Sequence, residues 1–316
     1  MSTIVLENST IRVVIDPTDG CQLNTLELRS PAGIWTRVLG SPADQIPGSF
    51  LMLPWTNRIQ DARFEFEGGD HQLTSNHSDG TAIHGTGRDH QWQILDRSPY
   101  SARMSFDSRT MEKTNWPYPF GAVLRIEIHE QGHDTQIEIE LDVENLGDRS
   151  MPCGIGHHPY FMRSLWNNDD ELSVRADVQG RYPCDAQIPV DDMKNDDVCD
   201  SLRKGAPIGN PDLDDVFGGF SGDAKLSWDA SGVTCTMSCS DAFGHLVIYT
   251  PRESTAHDQQ TAPPLGWVCV EPVTMVNDGF NRMKQGHSDT GVRVLAPGEA
   301  LRTTMTLSFT GLKQGV

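Results

Sequence analysis

The stretch AVLRIEIHEQGHDTQIEIELDV, residues 122–143, alternates apolar side chains with charged or polar ones almost without interruption. Successive side chains of a β-strand point to opposite faces, so this alternation is typical of strands with one buried face. Gly132 lies near the middle of the stretch and favours a turn. The pattern predicts two long strands, Ala122–Glu130 and Thr135–Val143, joined at residues 131–134.

The same period of two recurs along the rest of the chain, with glycine or proline in many of the intervening turns. Strands are predicted at Thr10–Asp16, Gln22–Leu28, Arg63–Glu67, Asp70–Leu73, Ser101–Phe106, Leu172–Val178, Ala224–Trp228, Val233–Ser238, Leu246–Thr250, Gly291–Val294 and Ala300–Ser308. A helical period is weak, and Asp191–Lys204 is the best candidate for a short helix. The many short antiparallel strands predict an all-β fold, a large antiparallel β-sandwich. No repeat or low-complexity linker divides the chain, so we expect a single domain over residues 1–316.

The chain is acidic, because 25 lysine and arginine residues stand against 44 aspartate and glutamate residues and give a formal net charge of −19. Such a surface repels phosphate backbones and anionic membranes, so we expect neither as a partner. The N-terminal MSTIVLE lacks the basic region and apolar run of a signal peptide. No stretch approaches the ~20 apolar residues of a membrane span. These features favour a cytoplasmic protein.

Seven cysteines are scattered along the chain, at positions 21, 153, 184, 199, 235, 239 and 269. Their number is odd, and Cys235 and Cys239 lack the paired spacing of a zinc site. We interpret all seven as reduced thiols, which agrees with a cytoplasmic location.

The segment GIGHHPYF, residues 154–161, places two adjacent imidazoles before a proline and two aromatic residues. Histidine exchanges protons near neutral pH because its unperturbed pKa is roughly 6.5. Pro159 favours an extended conformation at His158, and neighbours in a strand point to opposite faces. One imidazole should therefore face a pocket while the other faces away. A strand end with one buried structural histidine is the simpler alternative.

Two further stretches combine polar groups with apolar or glycine neighbours. In LPWTNRI, residues 53–59, Asn57 and Arg58 lie in a mostly apolar run, and the rigid donor fork of arginine suits an oxygen-rich ligand. In IHGTG, residues 83–87, glycines beside His84 would let the backbone close on a ligand. Both stretches also have structural explanations, an arginine that ties loops together and a simple turn.

Glu271 ends the apolar run of VCVEPVT, residues 268–274. Burial raises the pKa of a carboxyl group and a nearby imidazolium lowers it, so Glu271 is a candidate general base. A structural carboxylate that accepts loop amides is the alternative. Histidines and Glu271 could instead hold a divalent metal. A close His-x-His pair is lacking, however, and adjacent His157 and His158 point opposite ways, which favours metal-free proton transfer.

Together with two more motifs, these stretches resemble the aldose 1-epimerase (galactose mutarotase) family. The motifs are NRI (57–59), IHG (83–85) followed by Trp92, YPF (118–120), GIGHHPYF (154–161), LDDVF (213–217) and EPVT with DGFN (271–281). Their order and spacing fit the family over nearly the whole chain. The resemblance implies a large antiparallel supersandwich, which agrees with the period of two.

The resemblance also implies catalytic roles. His158 matches the family's general acid, Glu271 its general base, and His84 a second histidine that binds the sugar and helps to polarise the ring oxygen. Glu271 would take the proton from the C1 hydroxyl while His158 protonates O5. Rotation about C1–C2 and reclosure then give the other anomer. The family needs no metal and no organic cofactor.

Sugar-binding residues are matched by Arg58 and Asp214, and Asn57 of the same motif as Arg58 is expected to bind the substrate as well. Asp215 is adjacent to Asp214 and is the alternative ligand. Ala62 stands near a place where the family often has glycine. Three aromatic residues could stack on the apolar face of the sugar: Trp55, Tyr160 and Phe161.

The resemblance implies an isomerase that interconverts the α and β anomers of an aldohexose, as a monomer or homodimer. Two alternatives stay open. One is a mutarotase for an anionic sugar such as a hexose 6-phosphate, for which Arg203 and Lys204 are the candidate basic pair. The other is a carbohydrate-binding protein without catalysis, which would tolerate Glu271→Gln. The preferred sugar depends on single hydroxyl orientations, which the motifs do not specify.

Overall fold

The computed structural model describes residues 3–40, 46–132, 134–209, 212–252 and 264–312. Strands make up 50% of the structure and helices 8%, which confirms the predicted all-β class. No helix among the described residues is long and apolar enough to cross a membrane. All seven cysteines are free thiols, as predicted.

The described residues form 26 strands and two α-helices, named here in chain order. The first thirteen strands are β1 (Ile4–Glu7), β2 (Ile11–Asp16), β3 (Gln22–Arg29), β4 (Trp35–Leu39), β5 (Ser49–Met52), β6 (Arg58–Ile59), β7 (Arg63–Phe66), β8 (Gly69–Gln72), β9 (Ala82–Ile83), β10 (Gln93–Arg97), β11 (Ser101–Asp107), β12 (Phe120–Gln131) and β13 (Asp134–Asn145). The others are β14 (Met151–Cys153), β15 (Gly156–Met162), β16 (Leu172–Ala176), β17 (Gly180–Arg181), β18 (Cys184–Asp185), β19 (Ile188–Pro189), β20 (Asp214–Gly218), β21 (Asp223–Trp228), β22 (Val233–Cys239), β23 (His245–Tyr249), β24 (Trp267–Val273), β25 (Arg293–Leu295) and β26 (Ala300–Thr310). The helices are α1 (Asp197–Lys204) and α2 (Gly279–Lys284).

Two large antiparallel sheets contain most of these strands. The ten-stranded sheet has the order β1-β2-β3-β4-β15-β24-β23-β20-β17, and β5 pairs with both β15 and β3. The eight-stranded sheet has the order β10-β11-β12-β13-β26-β22-β21-β16. The other eight described strands form four pairs: β14-β25, β18-β19, β6-β9 and β7-β8.

The long hairpin of β12 and β13 shows why the alternating pattern folds in this way. Its register sets Leu124 opposite Leu141, and both side chains are buried. The next pair, Arg125 and Glu140, faces the other side and forms a 3.4 Å ion pair. Each fully buried aliphatic side chain contributes roughly 1.5–3 kcal/mol, so the buried face fixes the register. The predicted hairpin is confirmed, although His133 of its turn lies outside the described residues.

The apolar faces of the two large sheets meet in one core. Val13 and Leu26 contribute to it from the ten-stranded sheet, and Leu124 and Met305 from the eight-stranded sheet. The same cluster extends from Ile4, near the start of the chain, to Leu312. This packing confirms the predicted β-sandwich.

The boundaries of several predicted elements differ from the structure. The predicted helix over Asp191–Lys204 begins only at Asp197, because the side chain of Asp196 accepts hydrogen bonds from two backbone amides and caps the first turn. Helix α2 was not predicted, since six residues are too few to show a helical period. Glu271 does not end its strand, which continues through Val273.

Ala62 has a backbone φ of 51°, in the left-handed region that glycine adopts most easily. Its methyl group is buried in the core, and its carbonyl accepts a 2.7 Å hydrogen bond from the backbone of Leu73. The chain therefore keeps a glycine-like turn at this place with an alanine.

Candidate active site

Strands β15 and β24 lie side by side in the ten-stranded sheet. Their register sets Gly156 opposite Val273 and Tyr160 opposite Cys269, which places His158 across from Glu271 between these pairs. The Nε2 atom of His158 lies 3.2 Å from Oε1 of Glu271, and the two side chains are only 8% and 2% exposed. The structure thus brings together the two residues that the sequence matched to a general acid and a general base.

The alternation of side chains along β15 separates the two adjacent histidines. His158 lies on the face of the sheet that also carries Phe50, its partner on β5. We call this the site face. His157 points to the opposite face, and its ring lies 5.8 Å from that of Phe243 in the sandwich core. His157 is therefore a core residue, and the two adjacent histidines face opposite ways, as the strand pattern predicted.

Aromatic rings enclose the imidazole of His158. The ring of Phe50 stacks on it at 4.4 Å, and that of Tyr160 at 4.7 Å. The ring of His84 stands perpendicular to it at 5.1 Å. These rings leave the His158 side chain only 8% exposed, and Phe50 was not identified from the sequence.

Of the three aromatic residues proposed to stack on a sugar, Tyr160 is the one that lies beside His158. Trp55 is fully buried and stacks on Trp116 at 5.3 Å. Phe161 is also fully buried and belongs to the sandwich core.

The IHG motif is a tight turn that carries His84. Residues His84 and Gly85 have φ values of 63° and 73°, both in the left-handed region. A Cβ atom at Gly85 would come within 2.0 Å of the carbonyl oxygen of Leu53, so only glycine fits there. The amide of His84 donates a 3.0 Å hydrogen bond to the carbonyl of Asn57. The NRI and IHG motifs, which are separate in sequence, thus pack against each other as one unit.

Arg58 lies between two carboxylates. Its Nε atom donates to Asp79 at 2.9 Å, and one terminal nitrogen lies 3.9 Å from Asp214. The same nitrogen donates to the side-chain oxygen of Asn57 at 3.3 Å. These contacts fix the donor fork of the guanidinium group. Asp79 was missed because no sequence signal connects it with Arg58.

Strand β20 separates the two aspartates of the LDDVF motif. Asp214 stands opposite Tyr249 of β23, and Tyr249 stands opposite Cys269 of β24, so Asp214 is on the site face. Asp215 points the other way and binds the guanidinium of Arg181 at 3.3 Å. Asp214 is therefore the aspartate of this motif that lies near Arg58.

The DGFN motif holds the NRI strand in place. The backbone amide of Asp278 donates to the carbonyl of Arg58 at 2.7 Å, and its carboxylate accepts from the amide of Gln60 at 2.9 Å. Burial raises the pKa of Asp278 to about 6, while its hydrogen bonds oppose the shift. The sequence showed this motif without indicating its structural role.

Burial opposes charge on both His158 and Glu271. It raises the pKa of Glu271 well above its usual range, Asp214 adds to this rise, and Arg58 opposes it. Burial also lowers the pKa of His158 to about 3, with a further contribution from the positive charge of Arg88. The pKa of His84 is lowered well below its usual value by burial, and then by His158 and Arg88.

The shifts favour a neutral pair over the ion pair that the 3.2 Å contact also allows. Both forms contain the same number of protons, and they differ only in whether Glu271 or His158 holds the shared one. The Oε2 atom of Glu271 and the Nδ1 atoms of His158 and His84 have no hydrogen-bond partner among the described residues. Buried polar atoms of this kind are costly, and a polar ligand would satisfy them.

Arg203, the arginine of the basic pair nominated for an anionic substrate, is held by residues outside the predicted site. Arg203 lies in the last turn of α1, and its guanidinium donates to the carbonyl of Val178 at 2.7 Å and to the side chain of Asn195. Arg88 is the basic residue beside the histidines instead, because its guanidinium lies 4.2 Å from the ring centre of Phe50.

A cavity of about 870 Å³ lies elsewhere, against the eight-stranded sheet. Trp92, Arg109 and Arg302 are among its lining residues, and none of the predicted site residues is. It lacks a histidine to accompany its carboxylates, unlike the cluster around His158 and Glu271.

The fold and the site define a class of protein, an antiparallel β-sandwich with a buried imidazole–carboxyl pair on one sheet. The chain belongs to the aldose 1-epimerase family, whose model matches residues 2–308. It is 24% identical over 267 residues to the uncharacterized protein YphB of Escherichia coli (strain K12), and the match covers 82% of each chain.

Two solved structures show the same fold. A galactose mutarotase-like protein from Clostridium acetobutylicum has a TM-score of 0.80 at 17% identity, with 98% of this chain and 95% of that chain covered. A galactose 1-epimerase from Lactobacillus acidophilus NCFM has a TM-score of 0.71 at 19% identity, with 98% and 94% covered. At these identities the likeness supports the fold.

Proposed function

We propose that this protein is an aldose 1-epimerase that interconverts the α and β anomers of an aldohexose. The observation that supports this most strongly is the 3.2 Å contact between His158 and Glu271. Anomer exchange needs a proton at the ring oxygen O5 and removal of a proton from the C1 hydroxyl. Both oxygens are bonded to the same carbon, so the acid and the base must be close neighbours.

The proposed reaction starts from the ion-pair form, which the neutral pair reaches when the shared proton moves from Glu271 to His158. The Glu271 carboxylate takes the proton of the C1 hydroxyl while the His158 imidazolium gives its proton to O5, and the C1–O5 bond breaks. Rotation about C1–C2 turns the other face of the carbonyl toward O5. On ring closure Glu271 returns its proton to the oxygen on C1, and the O5 hydroxyl returns its proton to His158. The pair ends as it began, so a single shared proton sustains repeated cycles.

The neighbouring residues orient the sugar in this proposal. His84, perpendicular to His158, assists in polarising O5. Arg58 donates to sugar hydroxyls and Asp214 accepts from them, and Asn57 keeps the guanidinium group in position while contacting the substrate. Because the Arg58 guanidinium is already held by Asp79 and Asn57, little reorganisation of this group is needed on binding.

Polarimetry of freshly dissolved α-D-glucose and α-D-galactose tests the proposal. The wild-type protein should speed the approach to anomeric equilibrium, and Glu271→Gln and His158→Asn should each lose about 10²-fold or more of that rate. His157→Asn is the matched control, since its imidazole lies on the core face, and it should keep most of the rate. Equal losses in His157→Asn and His158→Asn would contradict the assignment of the acid. A wild-type protein that binds either sugar without speeding the exchange would support a binding protein instead.

A second candidate function is the mutarotation of an anionic sugar, and the position of Arg88 favours it. Its one ion-pair contact among the described residues is with Asp89 at 3.7 Å, so its donors are largely free for a phosphate. The same polarimetric measurement with a hexose 6-phosphate decides between the two. If the substrate is anionic, the protein should speed anomer exchange of the hexose 6-phosphate more than that of the neutral sugar. Arg88→Gln should then slow the reaction of the phosphorylated sugar and leave that of the neutral sugar unaffected.

We also propose a single domain over residues 1–316, because one core extends through both sheets. The seven free thiols support the proposed cytoplasmic location. A monomer or homodimer remains the prediction for the assembly.

A further inference from the structure

A thiol lies next to the proposed acid and base. Cys269 is two residues before Glu271 on β24, so both side chains point to the site face. The Sγ atom of Cys269, a ring nitrogen of His158 and a carboxylate oxygen of Glu271 all lie within 4.8 Å of one another. All three residues are buried, and Oε2 of Glu271 has no hydrogen-bond partner among the described residues.

The spacing of these atoms fits a tetrahedral metal ion. Zinc binds nitrogen and carboxylate oxygen at about 2.0–2.2 Å, which sets two such ligands roughly 3.3 Å apart. The Nε2 and Oε1 atoms of His158 and Glu271 are already 3.2 Å apart. The sulfur lies within 4.8 Å of both atoms, so it has to move inward by at most about 1 Å to reach its usual distance of about 2.3 Å from zinc.

We propose that His158, Cys269 and Glu271 form a binding site for a thiophilic divalent cation such as Zn²⁺ or Cd²⁺, and that its occupancy inhibits the epimerase. A neutral imidazole, a carboxylate and a thiolate carry two negative charges, so the occupied centre is uncharged. An uncharged centre suits a buried site. Asp214 further favours the cation, whereas Arg58 and Arg88 oppose it.

The site is inhibitory because the cation occupies the groups that the reaction needs. Metal on Nε2 of His158 removes the proton donor, and metal on Glu271 removes the base. Three protein ligands leave one tetrahedral position open toward the sugar side, so the cation should compete with the substrate. This part of the inference rests on the proposed epimerase function, whereas the binding of the cation does not.

Titration with Cd²⁺ tests the binding. The wild-type protein should develop the ultraviolet absorbance of a cadmium–thiolate bond, and Cys269→Ala should lose that band and bind at least about tenfold more weakly. Cys235→Ala is the matched control, because this thiol is equally buried but lies on β22 of the other sheet. It should bind as the wild type does. An unchanged band and affinity in Cys269→Ala would overturn the proposal.

Polarimetry with added Zn²⁺ tests the inhibition. The zinc concentration that halves the wild-type rate should rise at least about tenfold in Cys269→Ala, and in Cys269→Ser if the alanine variant does not fold. Equal sensitivity of wild type and variant would overturn the metal site while leaving the epimerase proposal intact. Cadmium binding that depends on Cys269, in a protein that speeds no anomer exchange, would support the metal site and overturn the epimerase proposal.

Discussion

His158 and Glu271 lie on neighbouring strands, β15 and β24, with Nε2 and Oε1 3.2 Å apart in a buried part of the sheet. The second carboxylate oxygen, Oε2, has no hydrogen-bond partner among the described residues. A buried carboxyl group with an unpaired oxygen costs stability. The His158–Glu271 pair therefore costs folding stability, and the proposed catalytic role explains its presence better than a structural role does.

The variant Glu271→Gln should accordingly be more stable than the wild type at alkaline pH while losing activity. The pKa of Glu271 is raised, so the folded state holds its proton more tightly than the unfolded state. The wild-type protein therefore loses folding stability as the pH rises above about 4.3, the pKa of a glutamate in the unfolded chain. Urea denaturation should show a gain of at least ~1 kcal/mol at about pH 8 and little gain at about pH 4. The exposed Glu112→Gln should show no such dependence, and an equal gain at both pH values would contradict the argument.

Substitutions of the two aspartates in the LDDVF motif, Asp214 and Asp215, should have different effects on the KM. Asp214→Asn removes the carboxylate near Arg58, and a charged hydrogen bond to the sugar is worth about 1.5–3 kcal/mol, so the KM should rise at least about tenfold. Asp215→Asn weakens the contact with Arg181 on the other face, and it should lower the melting temperature while leaving the KM within about twofold. Initial rates over a range of sugar concentrations give both values. A larger rise in KM for Asp215→Asn would reverse the assignment.

The sandwich could be predicted from the sequence because each long strand has its own alternating signal. Leu124 and Leu141 are both buried, and each occupies an apolar position of an alternating strand, which can be read from the neighbouring residues alone. The same rule predicted that His157 and His158 face opposite ways, since it needs only the strand period.

The contacts of the site could not be predicted in this way. Phe50 reaches His158 through the pairing of β5 with β15, and Asp79 reaches Arg58 from a distant turn. The first contact depends on the register between strands far apart in the chain, and the second on how a turn folds back on β6; no local pattern specifies either. The residues of the family motifs were found by resemblance, and their partners only by the structure.

The turn that carries His84 should be sensitive to a single methyl group. Gly85→Ala places a Cβ atom within 2.0 Å of the Leu53 carbonyl oxygen at a left-handed φ of 73°. Overpacking and backbone strain together should cost roughly 2–4 kcal/mol and displace His84. Gly80→Ala is the control, because its φ of 86° is also left-handed but no atom lies within 4 Å of the added Cβ. Chemical denaturation of both variants measures the difference, and similar losses would mean that strain alone, without the clash, decides the effect.

The core histidine should make the fold sensitive to acid. Burial lowers the pKa of His157 to about 4, so the folded state keeps it neutral where the unfolded state takes up a proton. Stability from this residue is complete above the unfolded value of about 6.5 and falls as the pH drops toward the folded value. His157→Leu removes this loss, and the difference in unfolding free energy between about pH 7 and about pH 4 should shrink by up to ~3 kcal/mol. His129→Gln, a side chain 42% exposed on β12, should leave the pH dependence unchanged. Parallel curves for the wild type and His157→Leu would show that this imidazole is not buried in its neutral form.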